Sequence, residues 1–176
     1  TWLRTGDLGF VLDGHLFVTG RLKELIIVRG RNLYPQDVEA TVQASWEGFR
    51  SGGGAAFSVE VDGEERLVVV QEVERTFLRR LDAHAVETAV RRAVAEVHEV
   101  QLHALVLIRP ATLSKTSSGK IQRRRSQQEY LQGKLDSLHD GSAQAPAAQS
   151  ASALPEDLAP SALAILPALR AIAAQT

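Results

Sequence analysis

Two Asp-Gly dipeptides, Asp13-Gly14 and Asp62-Gly63, each lie between runs rich in β-branched, aromatic and aliphatic residues. A two-residue hairpin loop needs positive φ at both central positions, and Asp-Gly supplies that at little cost. The first pair predicts a hairpin over 9–20 (GFVLDGHLFVTG). The second predicts strands over 55–61 and 67–73, entered through a loop at Gly52-Gly53-Gly54.

Between and after these hairpins the apolar period changes. Leu25–Val28 (LIIV) reads as a short strand ended by Arg29-Gly30-Arg31-Asn32. Pro35 suits the first position of a helix, with Asp37 and Glu39 complementing its positive end and Val38, Val42 and Trp46 on one stripe. Asp82 can cap a helix through about His98, with Val86, Val90, Val94 and Val97 on one face. Residues 104–108 (ALVLI) read as a buried strand, 113–120 as a polar turn-rich stretch, and 121–135 as a basic, helix-prone segment. The order is a β-hairpin followed by β-α-β-β-α-β-α. This is an α+β class of fold, a small domain with a short mixed sheet flanked by helices.

Composition narrows the function. A formal net charge of −1 over 176 residues lacks the basic excess of a dedicated nucleic-acid or membrane-surface protein. Cys is absent, which excludes disulfides, thiolate catalysis and Cys-based zinc sites. The apolar runs are short, and no charged-then-apolar leader opens the chain, so no membrane span and a cytoplasmic location are expected. Met is absent too, and Thr1-Trp2-Leu3 already reads as ordered structure, so the chain is expected to be a piece of a longer polypeptide. From 136 to 153 the residues are small and polar, the composition of a linker. The Ala- and Leu-rich stretch 154–176, broken by Pro155, Pro160 and Pro167, reads equally as the start of a helical segment or as a disordered tail.

Three clusters carry candidate chemistry. In Arg4-Thr5-Gly6-Asp7-Leu8-Gly9, a Gly-flanked carboxylate can accept two hydrogen bonds from a vicinal diol such as a ribose; alone, Asp7 reads first as a turn residue. In the run from Gly20 to Asn32, Arg21 offers a planar donor fork for phosphate or ribose oxygens, and Gly30 permits positive φ or close approach of a ligand. The plain alternative is a strand with charged flanks. In the third, Leu113 to Arg123, Gly119-Lys120 superficially suggests a phosphate loop. Ser114 stands where the early Gly is required and Ile121 where Ser or Thr is required, so it is no Walker loop. A Gly-hinged turn can still present Lys120 as a mobile point charge, the alternative being a solvated lysine.

Other features carry less. His15, His84, His98, His103 and His139 show no metal-ligand spacing. Arg123-Arg124-Arg125 lacks the interleaved aromatics of a nucleic-acid groove. No GxSxG nucleophile elbow is present.

The clusters are weak singly, but their order and separation are specific. RTGDLG, then GRLKELIIVRGRN, then KTSSGKIQR resembles the C-terminal end of adenylate-forming ligases, the superfamily of acyl-CoA synthetases, luciferases, amino-acid adenylation domains and fatty acyl-AMP ligases. VRGRNLYPQDVE resembles the fatty acyl-AMP ligases most. The resemblance spans about 1–130. It implies a mobile C-terminal lid domain preceded by the last strands of a large N-terminal adenylation domain. By this resemblance 1–22 is the terminal hairpin of that domain, 23–135 the lid, 136–153 a linker and 154–176 a further segment.

The resemblance also implies roles. Asp7 matches the carboxylate that grips the ribose hydroxyls, and Arg21 an arginine contacting the nucleotide. Lys23 falls at the hinge about which the lid rotates. Gly30 lies in the loop approached by the acceptor thiol. Lys120 matches the catalytic lysine bridging the attacking carboxylate and the α-phosphate. ATP with Mg²⁺, bound mainly through the N-terminal domain, a fatty acid and the phosphopantetheine of an acyl carrier protein are the implied ligands and partners. An acyl-CoA ligase, with CoA as acceptor, and a non-catalytic partner-binding fragment are the alternatives. Two positions depart from the pattern: Ser114 where Pro is frequent, and Leu33 where fatty acyl-AMP ligases often carry His.

Overall fold

The computed structural model describes residues 4–142. Strands β1 (Asp7–Leu12) and β2 (His15–Arg21) pair antiparallel about Asp13 (φ 49°) and Gly14 (φ 77°). A 3₁₀ turn, Leu22–Glu24, follows. Strands β3 (Ile26–Val28) and β4 (Arg31–Leu33) then form a second, very short hairpin that leads into α1 (Pro35–Ala44). The remaining elements are β5 (Phe49–Val61), β6 (Glu64–Val73), α2 (Ala83–His98), β7 (Leu102–Ile108), α3 (Arg123–Leu131) and β8 (Ser137–Asp140).

Strands β5 to β8 make one mixed sheet in chain order. Strand β6 runs antiparallel to β5 across the Asp62-Gly63 turn and parallel to β7, which it reaches through α2; β8 returns antiparallel to β7. Both faces of the sheet are covered, which is why β6 and β7 read as nearly continuous apolar runs rather than alternating ones. On one face Leu67, Val69, Val73, Leu105 and Leu107 pack with Val38 and Val42 of α1 and Val86, Val90 and Val94 of α2. On the other, Val68, Val70, Ala104, Val106 and Ile108 join Phe57 and Leu113, with Tyr130 of α3 against them. Each large apolar side chain fully buried here contributes roughly 1.5–3 kcal/mol.

The helices end as their sequences require. Asp82 accepts a hydrogen bond from the Ala85 amide at 3.0 Å, and α2 closes on Glu99 in the left-handed region (φ 55°). Pro35 occupies the first turn of α1.

Four features differ from the sequence reading. The expected Gly loop at 52–54 lies inside β5, at a bulge between Phe49 and Gly54. A Cβ on Gly54 would stand 2.5 Å from Gln71 Oε1, so glycine there serves close strand contact. The segment after Val28 does not simply end a strand: Arg29 (φ 50°) and Gly30 (φ 77°) turn it into β4. The basic helix is shorter than 121–135, stopping at Leu131 before a left-handed Gly133. Residues assigned to a linker from 136 instead include β8, held by β7 and by side chains of α2: Glu87 contacts His139 at 2.7 Å, and Arg91 donates to the Gly141 carbonyl at 2.6 Å. The rest of that linker and the segment 154–176 lie outside the described residues.

Candidate functional site

Lys120 sits near the end of a small closed loop. Lys115 and Ile121 form an isolated antiparallel bridge; the Thr116 amide donates to the Lys120 carbonyl at 2.8 Å, and the Lys120 amide donates to Thr116 Oγ1 at 3.0 Å. These bonds use the backbone of Lys120 and leave its ammonium exposed. The loop is anchored at its base as well. Ser114 Oγ donates to the Glu129 carboxylate at 2.9 and 3.0 Å, and Lys115 Nζ to the Gly52 carbonyl at 2.8 Å. A proline at 114 could not make the Glu129 bond.

Asp7 and Arg21 are direct cross-strand partners, with Arg21 Nε 3.4 Å from Asp7 Oδ1. Both are solvent-accessible, so the pair itself adds little stability. Its effect is to hold a carboxylate and a donor fork side by side at the base of the hairpin. An open cleft of about 680 Å³ runs from there to the lysine loop, lined by Gly20, Arg21, Gln36, Thr116, Gly119 and Lys120 among others. Arg21 and Lys120, distant in sequence, therefore face one space.

Lys23 is the middle residue of the 3₁₀ turn and lines a neighbouring cleft of about 340 Å³ with Thr5, Gly6, Arg21, Glu24 and Arg124. Gly30 lines neither cleft. It tips the β3–β4 hairpin, exposed, and a Cβ added to it would meet nothing within 4 Å.

Residues given no role from the sequence complete the surroundings. The three consecutive arginines do not form one basic patch: Arg123 pairs with Glu24 and Glu39, Arg125 with Glu129, and Arg124 lines the cleft beside Lys23. Fully buried Glu72 accepts the Leu113 amide at 2.8 Å and meets Arg50 at 3.2 Å. Arg125 and Glu129 are an i,i+4 pair of α3, but no spacing rule marks Arg123 or Glu72, because their partners come from distant elements. The acidic residues directly after Lys23 and inside α1 were the available signal.

Two histidines and a carboxylate away from the cleft have perturbed titration. Burial lowers the pKa of His98, opposed by nearby Asp37; its Nε2 lies 2.9 Å from Thr41 Oγ1. Burial also lowers His103, helped by the Arg66 and Arg91 charges. Burial pushes the Glu87 carboxyl up, but hydrogen bonds from His139 and Arg91 outweigh it and hold the group below its usual range. Among the described residues no group of three or more His, Asp or Glu side chains could hold a metal ion, and no helix is long and apolar enough to cross a membrane.

The domain has known counterparts. The medium-chain-fatty-acid–acyl-carrier-protein ligase JamA of Moorena producens is 53% identical over 135 residues, a match covering 77% of this chain and 23% of JamA. The putative fatty-acid–CoA ligase fadD21 of Mycobacterium leprae is 39% identical over 141 residues, covering 78% of this chain and 24% of the relative. A structure from a study of fatty acyl-adenylate ligases of E. coli and L. pneumophila superposes with a TM-score of 0.60 at 34% identity, covering 75% of this chain and 22% of that one. The chain thus spans about a quarter of the length of the curated relatives it matches. A mixed sheet faced by helices, preceded by a hairpin and carrying a lysine loop, is the C-terminal domain fold of adenylate-forming ligases. The model of the Disco-interacting protein 2-like AMP domain matches residues 23–140, and the chain belongs to that family.

Proposed function

We propose that this chain is the mobile C-terminal part of an ATP-dependent fatty acyl-AMP ligase, which activates a fatty acid as acyl-adenylate and passes it to the phosphopantetheine thiol of an acyl carrier protein. The observation that carries the reading is the shared cleft, which Lys120 of the lysine loop and Arg21 of the hairpin line together.

In the first half-reaction the fatty carboxylate attacks the α-phosphorus of ATP in line, and pyrophosphate leaves. Negative charge grows on the phosphoryl oxygens, and a cation placed there lowers the barrier. Lys120 supplies that cation. Its anchored loop backbone and exposed ammonium suit delivery of charge without loop reorganisation. Asp7 accepts from the ribose hydroxyls while Arg21 steadies it and donates to the nucleotide. Mg²⁺ would enter on the ATP phosphates, where it neutralises charge. In the second half-reaction the thiol attacks the acyl carbonyl and AMP departs. Lys120 has no part in that step, and rotation about Lys23 removes it while bringing the Gly30 turn toward the acceptor.

Both faces of the β1–β2 hairpin are apolar and exposed, which agrees with a companion packed against it. Phe10 stacks on Phe17 with ring centroids 5.2 Å apart on the face that also carries Leu12, and Val11, Leu16 and Val18 are exposed on the other. A two-stranded ribbon with such faces is marginal by itself. An adenylation domain upstream would cover it.

A second reading, transfer to CoA, is favoured by the relative from Mycobacterium leprae. The intact ligase supplied with ATP, a fatty acid and either holo carrier protein or CoA distinguishes them. Acylated carrier with no acyl-CoA supports the main reading; acyl-CoA as the sole product supports the second.

A further inference from the structure

Arg123 opens α3, three residues after Lys120. Its guanidinium donates through Nε and Nη2 to the two carboxylate oxygens of Glu39, at 2.7 and 2.8 Å, and through Nη1 to Glu24 Oε2 at 2.7 Å. Glu39 Oε1 also accepts the Ala56 amide at 2.9 Å. Glu24 ends the turn that contains Lys23. One planar fork therefore ties the proposed pivot, α1, β5 and the root of the lysine loop together. The three side chains are 20%, 31% and 12% exposed for Arg123, Glu24 and Glu39, too sheltered for water to replace the bonds at no cost. The Glu39 hydrogen bonds hold the guanidinium firmly in its charged form against burial.

We propose that Arg123 is a positioning residue that clamps the pivot turn to the lid, so that rotation at Lys23 carries Lys120 as a rigid arm rather than on a loose joint. The inference rests on the function proposed above. Without the guanidinium, Glu24 and Glu39 would face each other as like charges in a half-buried space, and the turn would part from α1. Lys120 would keep its own loop bonds but lose its fixed offset from the pivot. A misplacement of about 1 Å can cost about a hundred-fold in rate.

The test uses the intact ligase, with the half-reactions read separately: fatty-acid-dependent ATP–pyrophosphate exchange, and thiol acylation from preformed acyl-adenylate. Arg123→Gln should lower kcat for exchange by about 10- to 100-fold, with KM for ATP changed less than about threefold. Thiol acylation, which does not use Lys120, should fall less than about threefold. Arg123→Lys, which keeps a charge but not the fork, should recover part of the exchange and serves where the Gln variant does not fold. Glu24→Gln should reproduce the defect, and the double variant should be no worse than Arg123→Gln. Unchanged exchange, or a parallel fall in both half-reactions as lost folded protein would give, overturns the inference. Lys120→Ala is run alongside. If it abolishes exchange while Arg123→Gln does not, the clamp fails and the proposed function stands; if it leaves exchange intact, both fall.

Discussion

The Leu113 amide donates to Glu72 at 2.8 Å, and this fully buried carboxylate is what fixes the entry to the lysine loop. Arg50 meets the other carboxylate oxygen at 3.2 Å. Glu72→Ala leaves a buried amide and an arginine without their partner and should cost about 3–5 kcal/mol. Glu72→Gln keeps an acceptor for Leu113 and should cost about 1–2 kcal/mol. Urea unfolding checks the difference, and equal losses would contradict the assignment.

On the proposed function Lys23 is the pivot, and Lys23→Pro would fix φ in a turn that has to change between half-reactions. Adenylation should survive and thiol acylation should fall by about a hundred-fold or more, read in the same two assays. Equal loss of both steps, with the fold intact, would place the hinge elsewhere.

Gly30→Val puts a branched side chain at a φ of 77°, where only glycine is unstrained. The surrounding space is open, so the folding cost is confined to backbone strain of about 1–3 kcal/mol. On the proposed function, adenylation should be nearly unchanged, while the acceptor thiol should meet an obstruction and acylation should slow. Stopped-flow exchange and radiolabelled acyl transfer would separate the two.

Acid should weaken the packing of α2 on α1. His98 has its pKa lowered in the fold, so the unfolded chain takes up a proton first as pH falls. Stability is therefore full above the ordinary histidine value of about 6.5 and is lost as pH drops toward the depressed folded value. Asp37 faces the ring and moderates the effect. Unfolding free energies measured between pH 7.5 and about 5 should decline, and His98→Gln should flatten the decline to what His103, shifted the same way, still contributes.

Local chemistry made much of the fold legible. Asp13-Gly14 and Asp62-Gly63 turn where hairpins were expected, and Pro35 and Asp82 begin the helices they announce. What could not be read depends on partners far away in the chain. Residues 137–140 (SLHD), polar but for Leu138, are a strand because β7 offers an edge, Leu138 packs on the core and Glu87 grips His139. Gly52–Gly54 look like a loop until Glu72 is seen pressing against Gly53 and Gln71 against Gly54. The site divides in the same way. Asp7, Arg21 and Lys120 were named from motif order, whereas Arg123, hidden in a run of three arginines, is distinguished only by Glu24 and Glu39 closing around it.

Fatty-acid-dependent ATP–pyrophosphate exchange by the intact ligase carrying Lys120→Ala is the most direct measurement. A folded variant whose exchange falls by about a hundred-fold or more fits a lysine that stabilises charge at the α-phosphate. A folded variant that exchanges at the parent rate would show that this ammonium takes no part in the chemistry.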